Sequence, residues 1–299
     1  MTQRKSRSRR HYGNAWALPF LIPAGAFVFA IILIPSVMGI AYAFTDWNGG
    51  PDWEWVGWAN FERMLTDQLA RDALWHTLVL TVITTIVMNV LGILFALGLN
   101  SKIKAKTLLR VIFFAPVVVT PVIVANLWKY IYLPDGPLNE FLRAVGLDGL
   151  ATSWLGNSDT ALGAIAVIVI WQFTGIAMVI YLAGLQNVPT ELLEAAQLDG
   201  AGPVQRFWFV ILPQLRPALV IVSMLTIIAG LKIFDQVWVT TQGGPGSSTA
   251  TLSTAQYQVT FLIGNFAYGA AFAVALSVLA VVAALLQQAV ARRGASDAS

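Results

Sequence analysis

The chain has no cysteine, two histidines and few charges. Without cysteine there are no disulfides and no thiolate chemistry, and nothing marks a redox compartment. His11 lies in the N-terminal tail and His76 at the edge of an apolar segment, so neither a metal centre nor a histidine-based triad is expected. No glycine is followed by lysine, which rules out a phosphate loop of the Walker A kind. Charged residues make up 11% of the 299 positions, against about 25% in a soluble domain. Hydrophobic residues make up 57% and mean hydropathy is +0.71. These values describe a membrane protein. The formal charge of +3 is small; its distribution says more than its total.

Six segments reach the roughly 20 apolar residues that a spanning helix needs. They cover about 17–44, 77–99, 111–133, 161–185, 218–239 and 263–290. Lipid cannot satisfy backbone polar groups, so a span is a helix or a barrel strand, and these lengths suit helices. The first segment follows a basic stretch, as a signal peptide would, but it is too long for one and lacks an evident small-residue cleavage site. It reads as a retained helix. The expected fold is an all-α polytopic membrane protein: a basic tail over 1–16, one transmembrane domain over 17–290 and a second tail over 291–299.

Basic residues in short loops set the orientation. Arg4, Lys5, Arg7, Arg9 and Arg10 precede the first span. Lys102, Lys104, Lys106 and Arg110 follow the second, Arg206 and Arg216 follow the fourth, and Arg292 and Arg293 follow the sixth. The other side holds Arg63, Arg71, Lys129 and Arg143 among ten acids, Asp46 and Asp135 included. Six helices with both termini in the cytoplasm satisfy this asymmetry. It also accounts for the basic tail, so nucleic acid is not expected as a partner. The first outer loop carries Trp47, Trp53, Trp55, Trp58 and Trp75, residues that favour the headgroup region. Within it, 60–74 places Phe61, Leu65 and Leu69 on one face, as an interfacial helix would.

The loop 186–216 is patterned differently from the others. Pro189 suits a helix start, and Glu191 and Glu194 lie near its positive end. Leu192, Ala195, Ala196 and Asp199 share a face. The two alanines leave a shallow surface that another protein can approach, and Gly200 can take a positive φ and end the helix. Gly202-Pro203 opens a second helix, and Pro213 and Pro217 lead into the fifth span. A plain amphipathic connector would share much of this pattern.

These residues resemble a known family. Glu194-Ala195-Ala196, Gly200, Val210 and Leu212-Pro213 are similar to the EAA signature of binding-protein-dependent ABC importer permeases, with Val210 where isoleucine is usual. The stretch from Pro189 to Ala201 resembles the carbohydrate-uptake permeases of maltose and glycerol-phosphate type. Asn60-Phe61 and Asp67, then Gly136, Leu138 and Asn139, then Phe234-Asp235 and Thr241-Gln242-Gly243-Gly244-Pro245 extend the match along the chain. Gly175 stands where many relatives have a proline.

The resemblance implies a type I ABC importer permease fold in a bacterial cytoplasmic membrane. It implies that the loop docks in a groove of a cytoplasmic ATPase. Glu194 would then be the polar contact, Ala195 and Ala196 the close-packed face and Gly200 the hinge, with Asp199, Leu212 and Pro213 completing the coupling set. The implied partners are an ATPase dimer that binds ATP and magnesium, a second permease chain and an extracytoplasmic sugar-binding protein. This chain would hold no cofactor and no catalytic residue.

Polar residues within spans are costly and therefore candidates for the substrate path. Sugars need amide and hydroxyl partners and flat aromatic platforms. Asn126, Gln172 and Thr226 fit the first need; Trp128, Trp171 and Tyr268 fit the second. Trp128 also fits an interfacial anchor, and serines and threonines often bond their own helix. Thr226, Gly230 and Ile233 fall on a face that lines the cavity in relatives. Lys232 and Asp235, three apart on one expected helical face, can pair. An ion-coupled secondary transporter built on that pair is the alternative reading, but it leaves the loop around Gly200 unexplained.

Overall fold

The computed structural model describes residues 18–101 and 104–296, without the side chains of 18–21 and 292–296. The tail 1–16, Ala17, Lys102, Ile103 and residues 297–299 lie outside the described residues. Among the described residues the secondary structure is helical, apart from one isolated bridge between Thr45 and Trp55.

Four helices are long and apolar enough to cross a membrane unbroken: α1 (Ile22–Tyr42), α3 (Gln68–Asn100), α7 (Ser158–Gln186) and α13 (Phe266–Ser296). Between them lie α2 (Ala59–Thr66), α4 (Lys106–Val118), α5 (Pro121–Ile131), α6 (Pro137–Ala144), α8 (Thr190–Leu198), α9 (Pro203–Gln214), α10 (Arg216–Leu231), α11 (Asp235–Thr240) and α12 (Leu252–Tyr257). α4 and α5 form one bent pair, with 100° between them, and α9 and α10 another, with 70°.

The structure corrects three expectations. The third segment, 111–133, is not one helix. Thr120 is extended (φ −62°, ψ 143°) before Pro121, the conformation a residue preceding proline prefers. The fifth segment, 218–239, ends as a helix at Leu231 and resumes at Asp235. Finally, 60–74 does not form one interfacial helix. Asp67 is extended, and its carboxylate accepts the Leu69 N–H at 3.0 Å, starting α3 there.

α7 is the central post, with 61% of its apolar window buried, against 28% for α3, 17% for α13 and none for α1. At one end Ala96, Leu99, Met178, Tyr181, Leu185 and Leu215 form a buried cluster of α3, α7 and the start of α10. At the opposite end Ala43, Ala73, Leu252, Tyr268 and Phe272 join α1, α3, α12 and α13. The helices approach closely where a side chain is missing. A Cβ on Gly92 would lie 2.7 Å from Ala177, and one on Gly230 would lie 2.9 Å from the Cα of Thr81. Inside the bundle, Asn89 Oδ1 accepts from the Tyr181 hydroxyl and, at 3.3 Å, from Ser223 Oγ, joining α3, α7 and α10.

Polar anchors shape the end opposite the 186–216 loop. Asn60 donates to the carbonyls of Ala43 and Thr45. Asn139 is fully buried; it donates to the carbonyls of Leu133, Pro134 and Thr152 and accepts from Trp154 Nε1. The stretch after α11 folds back on itself, with Thr249 Oγ1 donating to Gly244 O at 2.7 Å. It docks on the start of α3, where Ser247 bonds Asp72 and Thr77 Oγ1 accepts the Leu252 N–H.

Candidate functional site

Two regions collect the residues singled out by sequence. The first is the loop from α8 to α9. α8 ends where expected: Gly200 has φ +78°. The Gly200 N–H bonds Gln197 O at 3.1 Å and the Ala201 N–H bonds Ala196 O at 2.9 Å, the paired bonds of a Schellman C-cap. Pro203 opens the next helix, and the Gly202 N–H donates to Gln205 Oε1 at 2.9 Å. Asp199 is the residue after α8, not part of its helical face. Ala196, Asp199, Gly200, Ala201, Gln205, Phe209 and Val210 line an open concavity of about 360 Å³.

The loop's chemistry faces outward. No residue of α8 is buried; Glu194 and Ala195 are exposed and Ala196 half-buried. At the far end Leu212 is half-buried, Pro213 is exposed and Leu215 is fully buried. A Cβ on Gly184 of α7 would lie 2.9 Å from Leu215 Cδ2. The loop is thus fastened to the central post at Leu215 and is free along α8.

The second region lies at the two helix breaks. Thr226, Gly230, Ile233 and Gln236 line a cavity of about 160 Å³ together with Thr84, Met88, Pro121 and Phe173. Gln172 stands behind it, fully buried, and joins both breaks. Its Nε2 donates to Val119 O at 3.0 Å, and its Oε1 accepts from Gln236 Nε2 at 2.9 Å. Lys232 and Asp235 also line this cavity, but the expected pair does not form. Lys232 follows α10 and Asp235 opens α11, so they do not share a helix. An ion pair does join Arg143 to Asp135, at 3.4 Å.

The other candidates stand elsewhere. Tyr268 is buried; its hydroxyl donates to Asp67 at 2.7 Å and its ring lies under Arg63. It ties α13 to the start of α3 and offers no platform. Trp128 and Trp171 pack edge to face, 5.7 Å apart. Trp171 lines a different, apolar groove with Phe95, Phe113 and Pro116. Asn126 is exposed on α5 and bonds Val122 O one turn back. Gln236 is one of the polar residues that the sequence places within the fifth apolar segment, just after its Lys-Ile-Phe-Asp interruption.

The described residues thus form a helical bundle with four straight apolar helices, two bent helix pairs, a small cavity at the breaks and an exposed surface helix. The chain belongs to the binding-protein-dependent transport system inner membrane component family, whose model matches residues 88–295. It is similar to a probable ABC transporter permease of Pyrococcus horikoshii, 35% identical over 93% of this chain and 96% of that one. It is also similar to a multiple sugar-binding transport system permease of Streptococcus mutans, 34% identical over 93% and 96%. A lactose transport system permease of Rhizobium radiobacter is 31% identical over 96% of each. The crystal structure of a bacterial ABC transporter involved in alginate import has the same fold, with a TM-score of 0.81 at 23% identity over 93% and 96%.

The chain is therefore the membrane subunit of an ABC importer and not an enzyme; in such systems the ATPase is a separate subunit. The ion-coupled alternative finds no support.

Proposed function

We propose that this permease imports a carbohydrate by alternating access, receiving it from an extracytoplasmic binding protein. The sugar-named relatives support the substrate class, and a related complex solved with a periplasmic protein bound to an alginate pentasaccharide supports delivery. The chain lies in a bacterial cytoplasmic membrane with six spans, four straight and two bent, and both termini in the cytoplasm. It pairs with a second, similar permease. The sugar passes the cavity of Thr226, Gly230 and Ile233 between the two helix breaks.

The observation that carries the coupling assignment is α8. Nine residues are too few to hold a helix alone in water, none of them is buried, and the exposed Glu194 and Ala195 lie beside the concavity at Gly200. A surface of that kind fits a partner. We assign Glu194, Ala195, Ala196, Asp199 and Gly200 to docking on an ATPase dimer that binds ATP and magnesium. Leu212 and Pro213 lead to the pivot at Leu215. ATP drives the cycle only by favouring one state of the permease over the other.

A tagged chain, drawn from native membranes in mild detergent, tests this. Recovery of an ATPase, a second permease and a sugar-loaded binding protein is expected, with uptake in liposomes that stops without ATP. Recovery of this chain alone, transporting without ATP, would overturn the assignment.

A further inference from the structure

We propose that Gln236 offers its side-chain oxygen to a sugar hydroxyl in the cavity at the helix breaks, and that Gln172 is the residue that positions it. The inference rests on the sugar-permease reading. Its physical basis is the direction of a chain of amides. Val119 O can only accept, so Gln172 must turn its NH₂ toward that carbonyl. Its oxygen is then left to accept from the NH₂ of Gln236. Gln236 in turn keeps its own oxygen, which no hydrogen bond within the described residues uses.

The surroundings make that oxygen informative. Gln236 is 4% exposed and Gln172 is 0% exposed, so neither amide is free to turn and find water at a surface. Much of the wall is apolar, with Met88, Val169, Phe173 and Ile233 lining it. The Gln236 oxygen makes no bond, yet it is not fully enclosed, so it is open to an occupant of the cavity. Neighbouring hydroxyls do not compete for it, because Thr84 and Thr226 spend theirs on carbonyls one turn back. The cavity thus presents an acceptor, aimed by two linked side chains, to an occupant that brings a donor. A carbohydrate brings hydroxyl donors and apolar ring faces, which Phe173 and Ile233 can cover. The same link makes Gln172 a positioning residue, since it lines no part of the cavity and acts through Gln236.

The chain contains no cysteine, so introduced thiols can be followed without background. Thr226→Cys, alone and combined with Gln236→Leu, is placed in liposomes with the second permease, the ATPase and the binding protein. Each is probed with a small methanethiosulfonate reagent, with lactose, xylose, arabinose or diacetylchitobiose. The sugar that is transported is expected to slow modification of Thr226→Cys, and roughly tenfold more of it should be needed for the same protection once Gln236→Leu removes the acceptor. The same sugar concentration dependence with and without Gln236→Leu would overturn this inference and leave the permease reading intact. Uptake of these sugars that is absent or independent of ATP would overturn the reading itself.

The positioning role has its own test. Gln172→Leu keeps the bulk and removes both bonds, and is expected to lower the transport rate roughly tenfold. Gln172→Glu can imitate the amide only while protonated, donating its hydroxyl to Val119 O and accepting from Gln236. An ionised carboxylate has no proton to give that carbonyl. Uptake by Gln172→Glu should therefore approach wild type at the acid end of the pH profile and fall toward the Gln172→Leu level as pH rises. The titratable groups on the cavity wall, Lys232 and Asp235, are common to wild type and variant, so their effect appears in both profiles. A profile parallel to wild type, at any absolute rate, would show that Gln172 does not act through these bonds.

Discussion

Gly200 shows how much a single residue discloses by its type and its place in the chain. A Schellman end needs a left-handed residue, and the run Leu198-Asp199-Gly200-Ala201 supplies glycine at that position. The structure places φ at +78° and leaves open space where a Cβ would go. A side chain at 200 therefore meets backbone strain of about 1–2 kcal/mol rather than a clash. Gly200→Val should insert normally and lose most ATP-driven uptake, whereas Gly200→Asn, which tolerates the left-handed region, should keep much of it. Equal uptake by the two variants in a vesicle assay would contradict the assignment. Gly175 and Gly230 are less legible. Gly175 faces the Phe113 carbonyl, 2.5 Å from a would-be Cβ, and Gly230 faces Thr81. Close approach to a distant segment leaves no local pattern, so the sequence points to Gly230 only as a cavity lining. Tyr268 is misread for a similar reason: its partner, Asp67, lies near the other end of the chain.

At the scale of elements, the apolar runs are visible in the sequence and the breaks in them only partly so. Pro121 and the charges of Lys232 and Asp235 mark both places, but neither mark says how far the chain turns there. What ends α10 is decided by tertiary contacts. The Ile233 carbonyl, left without a helical partner, accepts from Thr251 Oγ1 at 3.1 Å, and Thr251 Oγ1 also caps α12 by accepting the Thr254 N–H at 3.4 Å. One buried hydroxyl thus serves the break and the next helix start together. Thr251→Val preserves the shape and removes both bonds. The loss should be about 1–2 kcal/mol, since a buried carbonyl is left unpaired. For a chain of this size that corresponds to a fall in melting midpoint of roughly 2–4 °C per kcal/mol. Thermal unfolding of the purified variant in detergent measures it, and an unchanged midpoint would mean that the break is held by packing alone.

For the whole molecule, the burial pattern describes a subunit rather than a finished object. Most of the apolar window of α7 is buried and none of that of α1, so an isolated chain exposes apolar faces that either lipid or a second chain must cover. At the loop end the gap is of another kind, because no residue of α8 is buried. Its stability must come from outside this chain: helix nucleation is unfavourable, and isolated helices shorter than about 12–15 residues are marginal. Amide hydrogen exchange separates the two situations. In the isolated permease the amides of 190–198 should exchange orders of magnitude faster than those of α7, which is bonded and buried along its length. Assembly with the ATPase should slow them strongly while α7 changes little. Locally unfolding segments of low stability are the expected material for a coupling device. If instead 190–198 exchanges as slowly in the isolated chain as in the assembly, the helix carries its own stability. The proposed coupling through Gly200 would then need a different contact.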